Sequence, residues 1–182
     1  MMKLLNNENT GLLIIDVQEK LFPAISQKEK IIDNLKKLIH LSGLFNLPII
    51  LTEQNPEKIG PTLTEIKEAL PANEPISKLH FNCCDVNVFN ECIKSKRLEN
   101  IIIVGVETHI CIFQTAIALL EKGYHVQVPQ DAVGSRTDEN WRVGVDLMRE
   151  AGAIITSTET IIYQILKQAG TDEFREMLKV IK

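Results

Sequence analysis

Short runs of uninterrupted apolar residues, separated by stretches in which apolar residues recur every three or four positions, constrain this chain more than any other feature. Leu12-Leu13-Ile14-Ile15 ends at Asp16 and has the character of a strand covered on both faces, because a strand with one wet face would alternate polar and apolar residues. Pro48-Ile49-Ile50-Leu51-Thr52 and Asn100-Ile101-Ile102-Ile103-Val104-Gly105 repeat the pattern. A less apolar strand is predicted around Pro75-Ile76-Ser77, and two more over residues 125–128 and 153–156.

Helical signals fall between these runs. Ser26-Gln27-Lys28-Glu29 has the form of a capping box, and Ile31, Ile32, Leu35, Leu38 and Ile39 follow at helical spacing until Asn46-Leu47-Pro48 stops them. Residues 54–61 read as a loop and 62–70 as a short helix. A helix over 85–96 would place Val86, Phe89 and Ile93 on one face, and Thr108 is positioned to cap a helix that Gly123 ends. Further helices are expected over 137–151, 161–167 and 172–179. Strands alternating with helices imply a parallel sheet with right-handed crossovers. The expectation is therefore an α/β fold, a Rossmann-like three-layer α/β/α sandwich on a six-stranded parallel sheet. With 182 residues and no repeat or low-complexity linker, residues 1–182 are expected to form a single domain.

Composition narrows the partners. A net charge of -4 gives no electrostatic reason to approach nucleic acid or an anionic membrane, so neither is expected. No apolar run approaches the roughly 20 residues that cross a bilayer, and Met1 to Asn9 lacks the form of a secretory signal. Cys83, Cys84, Cys92 and Cys111 have no C-x-x-C spacing and read as free thiols of a reducing compartment, which points to the cytoplasm. His40, His80, His109 and His125 form no close metal-ligand spacing, and Gly105 belongs to no G-x-G-x-x-G or G-K-[ST] motif, so no metal and no cofactor is expected.

In sheets of this kind ligands bind beyond the carboxyl ends of the strands, where strand order reverses. Asp16, Lys78 and the segment Gly105-Val106-Glu107-Thr108-His109-Ile110-Cys111 all follow strands there. With Thr108 as cap, Cys111 becomes the third helical residue, where free N–H groups and the helix dipole favour a thiolate, and a nearby ammonium would lower the thiol pKa further. Read alone, Cys111 fits a small buried hydrophobe better than a nucleophile. Asp16 fits a proton acceptor or a partner of the next turn, and Lys78 a stabilising cation or a solvated surface residue.

Taken together, Ile14-Ile15-Asp16-Val17-Gln18 with Phe22, Ser77-Lys78 followed by Phe81, and the segment from Gly105 to Cys111 resemble the isochorismatase-like cysteine hydrolase superfamily. The resemblance runs from about Thr10 to Thr156 and continues through Asp131-Ala132-Val133-Gly134-Ser135-Arg136. It implies a catalytic triad at Asp16, Lys78 and Cys111, with cysteine attacking an amide-type carbon, aspartate moving the proton, and water releasing the acyl group. It also implies a cis peptide bond between Val106 and Glu107, with the N–H groups of Glu107 and Cys111 directed at the oxyanion. By position, Phe22, Gln54, Phe81, Glu107 and Ile110 are expected to line the pocket, and His109 is a possible substrate contact. Nicotinamidases of the superfamily carry an aspartate and histidine metal site after the second strand. Glu53-Gln54-Asn55-Pro56-Glu57 stands there instead, which argues against that activity and resembles the uncharacterised branch of the family.

The resemblance also implies a homo-oligomer, with the tail beyond Gln164 as a candidate contact. Three readings compete with amide hydrolysis: isochorismatase-type ether hydrolysis, a catalytically idle scaffold or interaction protein, and a nucleotide- or flavin-binding module that lacks a phosphate loop.

Overall fold

The computed structural model describes residues 4–71 and 74–181; the leader reading over Met1 to Asn9 therefore begins outside the described residues. Its strands are β1 (Thr10–Ile15), β2 (Ile49–Gln54), β3 (Ile76–Lys78), β4 (Asn100–Val106), β5 (His125–Pro129), β6 (Val133–Gly134) and β7 (Ile154–Thr156). The helices are α1 (Lys28–Phe45), α2 (Pro56–Ile59), α3 (Thr64–Lys67), α4 (Asn87–Ser95), α5 (Phe113–Glu121), α6 (Asp138–Glu150), α7 (Thr158–Leu166) and α8 (Asp172–Ile181).

The six expected strands form one path, β3-β2-β1-β4-β5-β7, in which every pairing is parallel. A seventh, β6, pairs with the end of β4 through Gly105↔Val133 and Val106↔Gly134. Two residues are too few to leave a periodic signal, which is why the sequence does not announce it. The apolar runs are explained by burial on both faces: Leu12 and Ile14 join one core with α1, α7 and α8, while Leu13 and Ile15 join the other with α4 and α5. The tail beyond Gln164 packs within the chain, with Met177 of α8 fully buried in the first core.

Chain order reverses between β1 and β4, since β2 and β3 extend one way and β5 and β7 the other. That junction needs a glycine. Gly105 has φ +111, and a Cβ there would lie 2.1 Å from the carbonyl oxygen of Ile15. The backbones of β1 and β4 thus approach closely one residue before Asp16.

Two local expectations fail. Ser26 does not cap α1; Gln27 occupies the cap position in a left-handed conformation without a side-chain bond, and the Ser26 hydroxyl donates to the carbonyl of Arg136 instead. Likewise Thr108 is no cap. Glu107 takes that position, Thr108 begins a π-helical turn (Thr108–Ile112) that leads into α5, and its buried hydroxyl has no partner among the described residues. The Glu107 carbonyl accepts from both Ile110 N and Ile112 N, which widens the turn carrying Cys111.

Candidate active site

Asp16 leaves β1 in a left-handed conformation, φ 55, which aspartate tolerates better than most residues. Its backbone N–H donates to Thr52 O at 3.2 Å, and its own carbonyl accepts from Gln18 N at 2.9 Å. Both carboxylate oxygens are engaged: Thr52 Oγ1 donates to Oδ1 at 2.8 Å and Lys78 Nζ to Oδ2 at 2.6 Å. The Cys111 thiol lies close enough to this carboxylate for Asp16 to raise its pKa. Lys78, the last residue of β3, donates in addition to Gln54 Oε1 at 2.7 Å. Thr52 and Gln54 are alternate residues of β2 and so share a face. Because β2 lies between β1 and β3, one of them reaches Asp16 and the other Lys78.

The structure thus brings together Asp16, Lys78 and Cys111 from the ends of β1, β3 and β4, with 0%, 3% and 5% of their surfaces exposed. Burial drives the electrostatics. It pulls the Lys78 ammonium towards neutrality, but Asp16 above all, with the Cys83 and Cys111 thiols adding in the same sense, outweighs it and leaves the lysine pKa raised. Burial, followed by the Asp16 carboxylate, pushes the Cys111 thiol well above the ordinary range, and the opposing Lys78 cation does not cancel them. The expected low-pKa thiolate is therefore corrected. Desolvation and the carboxylate beside the sulfur outweigh the favourable helix dipole and ammonium. Burial and the neighbouring carboxylate thus favour the protonated form of the Cys111 thiol.

The expected lining residues lie in different surroundings. Gln54 is buried, with its amide directed at Lys78 Nζ and at Leu79 O, 2.8 Å away. Glu107 is buried too, and its Oε2 accepts from both the backbone N and Nε of Arg136 at 3.1 Å. Phe22 is buried in a short turn before α1 and lines a groove with Ile32 and Leu63. Phe81 is exposed in the loop after Lys78, and Ile110 is half-buried beside Cys111. His109 meets Ser135 Oγ through Nδ1 at 3.0 Å. The peptide bond between Val106 and Glu107 is cis.

Several neighbours escaped the sequence reading. Thr52 was legible only as the end of a strand, Gln18 only as part of a motif, and Cys83 only as a free thiol. Cys83 is fully buried, its backbone N donates to Thr115 Oγ1 at 3.0 Å, and burial above all pushes its thiol up to about 11. The one available signal was the i, i+2 spacing of Thr52 and Gln54, which places two polar side chains on one face of a strand. At the nicotinamidase metal position Glu53 Oε1 instead accepts from Thr62 N and Thr62 Oγ1, at 2.7 and 2.8 Å. Among the described residues no group of three His, Cys, Asp or Glu side chains is arranged to hold a metal ion, and no helix is long and apolar enough to cross a membrane.

Residues 10–160 match the isochorismatase domain. Isochorismatase domain-containing protein 2A of Mus musculus is 33% identical over 175 residues, covering 96% of this chain and 84% of its own. Among solved structures, MAR1 ribonuclease from Caenorhabditis elegans superposes with a TM-score of 0.93 at 33% identity, covering 98% of this chain and 92% of that one. YcaC from Pseudomonas aeruginosa, solved with hexane-2,5-diol and covalent acrylamide, gives 0.92 at 25% identity, covering 99% and 92%. YcaC from Escherichia coli, described as an octameric hydrolase of unknown specificity, gives 0.89 at 25% identity, covering 100% and 88%.

Proposed function

The chain belongs to the isochorismatase family of hydrolases, and from that premise we propose that it hydrolyses a small amide-type C–N bond through Asp16, Lys78 and Cys111. The observation that carries this reading is the buried contact of Lys78 Nζ with Asp16 Oδ2 at 2.6 Å, on a carboxylate that also acts electrostatically on the Cys111 thiol. In the first step the thiol proton passes to Asp16 as the sulfur attacks the carbonyl carbon, and the new C–S bond leaves the electron pair on the carbonyl oxygen. Lys78 balances the negative charge created in the site, and the N–H groups of Glu107 and Cys111 are assigned to the oxyanion. Collapse breaks the C–N bond, and the leaving nitrogen takes the proton from Asp16. Water, deprotonated by Asp16, then cleaves the thioester and the proton returns to sulfur. Phe22, Phe81 and Ile110 are assigned to the walls around the substrate.

The covalent acrylamide in the Pseudomonas YcaC structure supports a reactive nucleophile in this fold, and small primary amides are the panel that tests for amide turnover. The test is ammonia release together with the intact mass of acid-quenched protein. Wild type is expected to release ammonia and carry an acyl adduct that Cys111→Ala lacks. Equal release by Cys111→Ala, or neither signal across the panel, would sink the assignment.

The 33% identity to a protein named a ribonuclease brings a second reading, RNA cleavage. A net charge of -4 and a thiol only 5% exposed speak against it. Turnover of a labelled oligoribonucleotide that Cys111→Ala retains would favour RNA cleavage by other residues. We further read the chain as a single-domain homo-oligomer of a reducing compartment such as the cytoplasm. Support comes from the octameric Escherichia coli relative, from four free cysteines, and from the exposed apolar side chains of Leu79, Val143 and Leu147, which a neighbouring copy would cover. Light scattering tests the oligomer.

A further inference from the structure

The residue that grips Lys78 is itself gripped from behind. Gln18 is fully buried and Gln54 nearly so. Gln54 N donates to Gln18 Oε1 at 2.7 Å, and Gln18 Nε2 donates to Gln54 O at 3.0 Å and to Gly60 O at 2.6 Å. Gln18 thereby ties the end of β2 to the loop that follows it. The Gln54 side chain then divides its amide, with Nε2 donating to Leu79 O at 2.8 Å and Oε1 accepting from Lys78 Nζ at 2.7 Å. An ammonium only donates and a carbonyl only accepts, so this amide has one orientation. Asp16 and Gln54 thus take two of the three N–H groups of Lys78, and Cys83 and Cys111 also act electrostatically on the ammonium.

We propose that Gln54, held by Gln18, is a positioning residue that keeps the Lys78 ammonium charged and directs its remaining N–H at the Cys111 sulfur as the thiolate forms. This gives Gln54 a role distinct from a pocket wall, and it rests on the triad reading above. The physical reason is that a buried ammonium short of acceptors tends to become neutral, whereas an acceptor held at a fixed point favours the charged form. A charged, aimed Lys78 is what opposes the burial and carboxylate that disfavour ionisation of Cys111.

The test is the pH profile of iodoacetamide alkylation at Cys111, followed by peptide mass spectrometry on the full-length protein, in Gln54→Leu, Lys78→Met and the double variant. Gln54→Leu is expected to move the profile up by about one pH unit, so that alkylation at a given alkaline pH is about tenfold slower. In the Lys78→Met background the same change is expected to do nothing more, because Gln54 acts through the lysine. A residue that merely tied β2 to β3 would lower the melting temperature and leave the profile in place. Should Gln54→Leu fail to fold, Gln54→Asn keeps the amide but is one methylene too short to reach, and it is expected to give the same shift. The inference is overturned if the profile does not move, or moves equally without Lys78. If Lys78→Met itself leaves the profile unchanged, the triad reading falls with it; if only the Gln54 effect is missing, the triad reading stands.

Discussion

Lys78 Nζ meets Asp16 Oδ2 at 2.6 Å with both side chains fully withdrawn from solvent. An ion pair in that setting adds little net stability over an apolar pair of the same shape, yet removing one partner leaves a charge uncompensated. Lys78→Met and Asp16→Asn are each expected to cost about 3–5 kcal/mol in urea unfolding. Combining them is expected to cost clearly less than the sum, because the second change removes the stranded charge. Additive losses would show that the two groups do not depend on one another.

Cys111 ionisation responds to its two neighbours in opposite directions. The Asp16 carboxylate raises the thiol pKa and the Lys78 cation lowers it. Alkylation of the wild type is expected to rise only at a pH above the ordinary thiol range of about 8.5. Lys78→Ala is expected to push the profile higher still. Asp16→Asn should bring it down and speed alkylation near neutral pH while abolishing amide turnover, since the proton acceptor is gone. Slower alkylation in Asp16→Asn would contradict this arrangement.

Alkaline stability carries a separate signature. Burial raises the Cys83 thiol from 9.0 to about 11, so between those values the unfolded chain has lost a proton that the folded chain keeps. Stability therefore falls as pH rises through that window and levels off above it, by on the order of 2–3 kcal/mol for this one group. Lys78 acts in the same sense at higher pH, because its raised pKa gives stability that is lost as pH rises through the folded-state value. Cys83→Ala is expected to flatten the decline between pH 9.0 and about 11 in denaturant titrations, at the cost of some stability at neutral pH. An unchanged slope would remove Cys83 as its source.

The helix packed against the turn that carries Cys111 has a small residue, Gly144, at its point of closest approach. A Cβ on Gly144 of α6 would lie 2.8 Å from the carbonyl carbon and oxygen of Thr108. Gly144→Ala is expected to cost about 1–3 kcal/mol and to alter Cys111 alkylation, because backbone rather than a flexible side chain must give way. Gly43, in α1, has nothing within 4 Å of its would-be Cβ. Gly43→Ala is expected to stabilise the chain by up to about 1 kcal/mol without affecting Cys111. Melting curves with parallel alkylation assays check both.

The sequence by itself determined the layered α/β architecture and the strand-end placement of Asp16, Lys78 and Cys111. Continuous apolar runs such as Leu12 to Ile15 are stable only when covered on both faces, and helical spacing between them leaves one way to cover them. Tertiary structure decided what those residues have for neighbours. Thr52 and Gln54 reach Asp16 and Lys78 because β2 sits between β1 and β3, a juxtaposition set by strand order rather than by any local pattern. The direction of the Cys111 pKa was likewise hidden, since desolvation depends on everything packed around the sulfur, and it outweighs the dipole and the ammonium that a linear reading can see. Even Thr108, placed where a cap would be, lies inside a π-helical turn whose backbone packs closely against Gly144 of α6, a contact no local pattern announces.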